Sequence, residues 1–161
     1  MRTGKARFDL SCEWGEAGVV ALAPASDVVV VVDVLSFSSC VDIAISRRGE
    51  ILPYPDKGQG AKEFAEQHRA ALARSRGEGR FSLSPAAFLD LDPGTRVVLP
   101  SPNGAMVSLA SRARTTLAGC LRNAAAVARI AAERGRHIAV IPAGERWPDG
   151  TLRPSLEDWL G

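Results

Sequence analysis

Asp27-Val28-Val29-Val30-Val31-Val32-Asp33-Val34 is the stretch that decides the fold. Five β-branched residues in a row leave no polar face for water, so the strand they form must be covered on both sides, as a central strand of a parallel sheet is. That points to an α/β protein. Next, Ser36-Phe37-Ser38-Ser39-Cys40 leads into a segment with Val41, Ala44 and Ile45 on one face, closed by Arg47-Arg48-Gly49. This pattern predicts a helix with a hydroxyl-rich start and a glycine stop. Glu50 to Pro53 reads as a short strand. Gly60 to Arg74 reads as a helix with Ala61, Phe64, Ala65, His68 and Leu72 at helical spacing.

Ser75 to Asp92, rich in Gly, Arg, Ser and Pro, reads as an irregular excursion, the kind of long loop that often covers a site. Arg96 to Pro100 resumes a strand, Ser101-Pro102-Asn103-Gly104 makes a turn, and Ala105 to Ser111 a short helix. Thr115 to Ala118 is a strand, Asn123 to Arg134 a helix with Ala124, Val127, Ala128 and Ala131 inward, and His137 to Ile141 a strand. A further strand is expected near Arg7 to Ser11. Repeated βα units of this kind predict a three-layer α/β/α fold with a mostly parallel central sheet.

Composition supports that reading. The chain has 161 residues, 46% hydrophobic and 24% charged, which suits a single α/β domain able to bury its own core. Its 20 Lys and Arg are interleaved with 18 Asp and Glu, so no basic surface for nucleic acid or membrane is indicated. Cys12, Cys40 and Cys120 are far apart and odd in number, which argues against a disulfide framework or a zinc site. No apolar run approaches the length of a membrane span or a signal peptide, and a reduced, cytoplasmic protein is expected.

In open α/β sheets ligands bind beyond the carboxyl ends of the strands, which singles out four places. They are Asp33 with Ser36 to Cys40, the Ser101 to Gly104 turn, Gly119 to Asn123, and Ala143-Gly144-Glu145 with the later Ser155-Leu156-Glu157-Asp158. A carboxylate at the end of an apolar strand needs a partner, and Asp33 has two open readings: a divalent metal, or a helix-capping or arginine contact. Ser36, Ser38 and Ser39 lie where a helix start suits an anion, although any one of them also reads as an ordinary cap. Asn103-Gly104 reads as a tight turn or as an amide approach to an anion. Glu157 and Asp158 read as first-turn acids of a capped helix or as oxygen ligands for Mg2+. Cys40 and Cys120 read as small buried residues, since neither begins a Cys-x5-Arg loop, and no Asp-x-Asp pair follows a strand. Gly58-Gln59-Gly60 lacks the third glycine of a dinucleotide fingerprint and reads as the start of a helix. His68 reads as a packed or rim histidine, and His137 opens a strand with no partner nearby in sequence.

Taken in order, Val32-Asp33-Val34-Leu35, Phe81-Ser82-Leu83-Ser84-Pro85, Pro102-Asn103-Gly104, Gly119-Cys120-Leu121-Arg122-Asn123-Ala124, Pro142-Ala143-Gly144 and Ser155-Leu156-Glu157-Asp158 resemble the 2-phosphosulfolactate phosphatase family. The resemblance runs from about Asp27 to the last residue. It implies a Mg2+-dependent phosphatase of α/β architecture that releases phosphate from 2-phospho-3-sulfolactate on the route to coenzyme M, acting on a small anionic phosphorylated substrate. It puts the family's catalytic carboxylate at Asp33, its acidic pair at Glu157 and Asp158, its Asn-Gly turn at Asn103 and Gly104 and its later asparagine at Asn123. Joined to the reading of the residues, the expectation is that Asp33 and Glu157 hold Mg2+, Asp158 orients a ligand or water, and Ser36, Ser38, Ser39, Asn103, Gly104 and Asn123 contact the substrate. A homo-oligomer stays open.

Three departures bear on the substrate. Ser36 stands where many relatives have arginine, Ser82-Leu83-Ser84-Pro85 replaces a Gly-Asn-Ser-Pro stretch, and Ser101-Pro102-Asn103-Gly104-Ala105 replaces Thr-Thr-Asn-Gly-Thr. They widen the expectation to a related phosphorylated hydroxy acid, with a non-catalytic anion-binding relative or an interaction domain as the alternative. Arg47, Arg122 and Arg146 are the candidates to restore the missing positive charge. Relatives continue past the Ser-x-Glu-Asp motif, so residues 1–161 are expected to be the N-terminal portion of a longer family fold.

Overall fold

Val28–Val32 forms strand β2, and all five of its residues are buried. The computed structural model, which describes residues 8–161, shows why. Parallel strands flank β2 on both edges: β6 (Thr115–Gly119) pairs along one side and β7 (His137–Pro142) along the other. β1 (Asp9–Cys12) adds to the far edge of β7, giving a four-stranded parallel sheet of order β1-β7-β2-β6. The first strand expected from the sequence is thus present, while Arg7 lies outside the described residues.

The two faces of β2 belong to different cores. Val29 and Val31 pack with Ala139 and Ile141 against Val19 of helix α1 (Gly15–Leu22) and Val107 of α4 (Gly104–Ala110). Val28, Val30 and Val32 pack with Ile138 against Ala131 and Val127 of α5 (Ala124–Arg134). Helices on both faces of a parallel sheet make the three-layer α/β/α architecture that the repeated βα units predict.

The sheet is divided. A second, three-stranded parallel sheet of order β3-β5-β4 is built from β3 (Glu50–Tyr54), β5 (Arg96–Pro100) and β4 (Ala71–Leu72). Its core joins Val97 and Leu99 to Phe81, Phe88 and Leu91 of the excursion and to Phe37, Cys40, Ile43 and Ala44 of α2 (Phe37–Ser46). α2 packs against both β3 and β6, and α4 against both β2 and β3, so these two helices stitch the sheets together. Both begin at the carboxyl end of a strand, where the site lies.

Several local expectations are corrected. On α2, Ile43 and Cys40 are buried with Ala44, whereas Ile45 is 56% exposed. Helix α3 covers Gln59–Gln67 and does not reach Arg74. Arg69 takes a positive φ, and Ala71 and Leu72 pair with Val97 and Val98, so Leu72 joins a strand because β5 offers it main-chain partners. His68 caps that helix, its Nδ1 2.8 Å from the Phe64 carbonyl and its ring against Phe64. The excursion holds a 3-10 turn at Pro85–Phe88 and buries Phe81 and Phe88 in stacked contact. Ala124 and Ala128 line an open apolar groove of about 460 Å3 beside β1 and β7 and are not sealed in the core. His137 reaches Asp9 and Asp27, each at 3.4 Å.

An antiparallel ribbon of β8 (Glu145–Arg146) and β9 (Leu152–Arg153) follows β7, and α6 (Leu156–Leu160) comes after it. Trp159 of α6 stacks on Trp14 at 5.8 Å, fixing α6 against the start of α1. Among the described residues no helix is long and apolar enough to cross a membrane, and all three cysteines are free.

Candidate active site

Asp33 lies one residue beyond β2, 6% exposed, and its carboxylate ties together the starts of two helices. Oδ1 accepts the Phe37 N–H of α2 at 3.0 Å, and Oδ2 accepts the Gly104 N–H of α4 at 2.9 Å. The same two helices bridge the sheets. Of the readings open for Asp33, helix capping is therefore present, in doubled form, and among the described residues no arginine pairs with it. Two helix starts favour negative charge. Burial nevertheless dominates and pushes Asp33 up to about 6, with the carboxylates of Asp158 and Glu145 adding to the rise against the pull of the two amides.

Asp158 is held in a matching way, 5% exposed, with Oδ1 accepting the Val34 N–H at 2.8 Å and Oδ2 the Gly144 N–H at 2.9 Å. It does not cap its own helix. Burial raises its pKa, and the neighbouring charges of Glu157 and Glu145 push the same way. Ser155, expected as the cap of α6, gives no side-chain bond to the helix; its hydroxyl is buried and has no partner.

A chain of neighbours closes into a ring. Asp33 accepts Gly104 N–H, the adjacent Asn103 donates its Nδ2–H to Glu145 Oε2 at 2.9 Å, and Gly144 beside Glu145 donates to Asp158. Asp158 then returns to Val34, next to Asp33. Three carboxylates, Asp33 after β2, Glu145 after β7 and Asp158 on α6, are thus fixed around the Asn103-Gly104 turn after β5 by contacts far apart in sequence. Glu145 is the member that sequence reasoning left without a role. It stands in a flagged loop, but nothing local signals its link to Asn103.

The serines build the turn more than they face outward. Ser38 is fully buried, its hydroxyl accepting the Asp33 N–H and donating to the Val31 carbonyl. Ser39 donates to the Val34 carbonyl. Ser36 Oγ accepts from Arg76 at 3.3 Å. Of the arginines expected to restore positive charge, Arg122 pairs with Asp42 and Arg146 with Glu16, and Arg47 caps the far end of α2. The guanidinium at Ser36 is Arg76, from the excursion. Asn123 accepts the Cys120 N–H and donates to the Ala118 carbonyl, closing the turn between β6 and α5. Burial holds the Cys40 thiol up near 12, which leaves it protonated and inert.

Gly104 shows why this turn needs glycine. A Cβ there would lie 2.5 Å from the Phe37 ring and 2.6 Å from Asp33 Oδ2. Gly104→Ala should therefore cost about 1–3 kcal/mol of stability by overpacking. It should also cut any turnover, because Asp33 has to move. Gly79→Ala, at a glycine outside the left-handed region where a Cβ would meet nothing nearer than the Arg74 side chain at 3.5 Å, is the control and should leave stability and activity alone. Equal effects at both positions, read by urea unfolding and phosphate release, would show that the close approach at Gly104 has no special role.

Beside the ring lies a cleft of about 420 Å3 between α1, α4 and the ribbon, with Asn103, Ala143 and Glu145 in its wall and Trp14, Val20 and Leu152 as its apolar side. Among the described residues no three metal-ligating side chains form a ready-made cage, and no cation pairs with Asp33, Asp158, Glu145 or Glu157. Magnesium needs no such cage. It binds through one or two carboxylates, with water and substrate oxygens completing the octahedron, and a buried carboxylate group without a counter-charge fits that donor set. No curated protein matches the chain. The family model for 2-phosphosulpholactate phosphatase matches residues 19–161, nearly all of what carries this geometry, and the chain belongs to that family.

Proposed function

We propose that the chain is a Mg2+-dependent, cytoplasmic phosphatase that cleaves 2-phosphosulfolactate, or a related phosphorylated hydroxy acid, to the hydroxy acid and phosphate. One observation carries the reading: the buried Asp33 and Asp158 lie by the half-buried Glu145, no cation pairs with any of the three among the described residues, and burial with the neighbouring carboxylates pushes the first two up in pKa. Asp33 would hold the ion, with Glu157 or Glu145 as the second carboxylate. When bound, the ion would neutralise charge on the transferring phosphoryl group.

The chain's own residues do the positioning. Each Asp33 oxygen accepts one amide and keeps a second lone pair, so the carboxylate can meet a ligand without releasing α2 or α4. Asp158 likewise accepts one amide on each oxygen, and in this reading it keeps the Val34 and Gly144 backbones in register. Asn103 fixes Glu145 through Oε2. In this reading Oε1 of Glu145 orients a water and receives its proton.

The test is phosphate release from 2-phosphosulfolactate and a panel of phosphorylated hydroxy acids, with Mg2+ and with EDTA. The expected result is release with Mg2+ and a loss of at least about 100-fold on chelation. No release from any member, or release indifferent to EDTA, would overturn the reading.

A further inference from the structure

We infer that Arg76 is the residue that recognises a second anionic group on the substrate, a carboxylate or sulfonate borne beside the phosphorylated carbon; this rests on the phosphatase reading above. Several of the amides that helix starts would offer an anion are already used. Phe37 N–H and Gly104 N–H go to the Asp33 carboxylate, and Ser38 N–H goes to the Asp33 carbonyl. A cationic side chain is then the better partner for a second anion.

Arg76 is oriented for that task. Its Nε and one terminal nitrogen donate to the Leu83 carbonyl at 3.3 and 3.1 Å, and the same terminal nitrogen donates to Ser36 Oγ at 3.3 Å. All of these acceptors are neutral. Like several other arginines, Arg76 faces no carboxylate among the described residues, and of those it is the one hydrogen-bonded to Ser36 at the start of α2. Its other terminal nitrogen carries two N–H groups with no protein acceptor among the described residues, an edge suited to a planar carboxylate or a sulfonate.

The guanidinium stands at the same helix start as the Asp33 carboxylate: it meets the Ser36 hydroxyl, and the next residue, Phe37, donates its N–H to Asp33 Oδ1 at 3.0 Å. A phosphoryl group at Asp33 and an anion at Arg76 would sit on the two sides of the α2 start. The excursion of residues 75–92 thereby has a reason to fold over the site. Phe81 and Phe88 anchor it in the core, and Arg76 hangs from that anchor through Leu83.

The test compares wild type with Arg76→Gln in two assays. In the first, binding of 3-sulfolactate, malate and inorganic phosphate is measured by calorimetry in the presence of Mg2+. The variant should bind sulfolactate or malate at least about tenfold more weakly and phosphate within about threefold of wild type. The two acids share one carboxylate and differ in the far group, so equal losses assign Arg76 to the shared carboxylate and unequal losses assign it to the far sulfonate or carboxylate. In the second, KM for a doubly anionic phosphorylated acid should rise about tenfold while kcat, and turnover of a simple alkyl phosphate, stay near wild type. Equal weakening for phosphate and the acids would place Arg76 on the phosphoryl group and overturn the inference, as would no change for any ligand, or wild type that binds none. Selective loss of acid binding in a protein that hydrolyses nothing would sink the phosphatase reading and leave this one standing. Arg76→Lys is the second variant, expected to recover only part of the affinity because an ammonium cannot hold Leu83 and Ser36 and also present a fork.

Discussion

Asp33→Asn should lower phosphate release at least about a thousandfold while leaving stability at pH 7 within about 1–2 kcal/mol of wild type. Both halves follow from the same geometry. Each oxygen of Asp33 accepts a main-chain N–H, from Phe37 and from Gly104. An asparagine of the same shape has one oxygen, so in either orientation its NH2 meets a donor and one bond is lost, costing about 1–3 kcal/mol. Against this, the variant no longer carries a charge in a buried site, where raising the group from 3.8 to about 6 corresponds to about 3 kcal/mol at neutral pH. The two effects nearly cancel. Catalysis has no such compensation, because the neutral amide is a poor ligand for Mg2+ and leaves Asp158 and Glu145 to balance the ion alone. Circular-dichroism melts and phosphate release on the same samples check the result. A variant that melts like wild type and still turns over would remove Asp33 from the chemistry, and one that fails to fold would show that the doubled cap outweighs the buried charge.

The β-branched run Val28 to Val32 fits a strand covered on both faces, and the βα rhythm around it makes that strand a central parallel one with layers on either side. The division into two sheets was not legible. Arg96–Pro100 reads as a buried strand in the same way as β2, and nothing local tells which neighbours it pairs with. The end of α3 was missed for a related reason: the helical spacing of Ala61, Ala65 and Leu72 continues in sequence, but pairing with β5 outweighs it after Gln67. At the site, the carboxyl-end rule found Asp33, the Asn103-Gly104 turn and the acids in the first turn of α6. Glu145 reads in sequence only as part of a candidate loop with no role of its own, and Arg76 only as part of the excursion, because what recruits them is tertiary. Asn103 selects Glu145, and the burial of Phe81 and Phe88 carries Arg76 to Ser36.

Between about pH 4 and pH 7, the metal-free protein should become less stable as the pH rises, opposite to the usual behaviour of paired carboxylates. Asp33 titrates at about 6 in the folded chain against 3.8 as a free side chain, so the folded state holds its proton longer. In that window the native chain binds more protons than the unfolded one, and unfolding free energy falls with pH, by about 3 kcal/mol from Asp33 once both states are ionised. Asp158 acts in the same direction, since burial raises it too. Asp27, Glu50 and Asp149 are held below their usual values and work the other way, but they lie on the surface, where solvent and salt screen their effect. Glu145→Gln keeps the acceptor for Asn103 while removing a charge that acts on both buried aspartates. It should therefore flatten the profile and stabilise the metal-free chain above pH 6. Magnesium should do the same to wild type at pH 7, because an ion that binds only the folded form raises stability with its concentration. Urea unfolding from pH 4 to pH 7, with and without Mg2+, reads each of these effects. A stability that climbs through the window, or a Mg2+ addition that leaves the midpoint unmoved at pH 7, would mean that the three carboxylates are balanced by something other than a divalent ion.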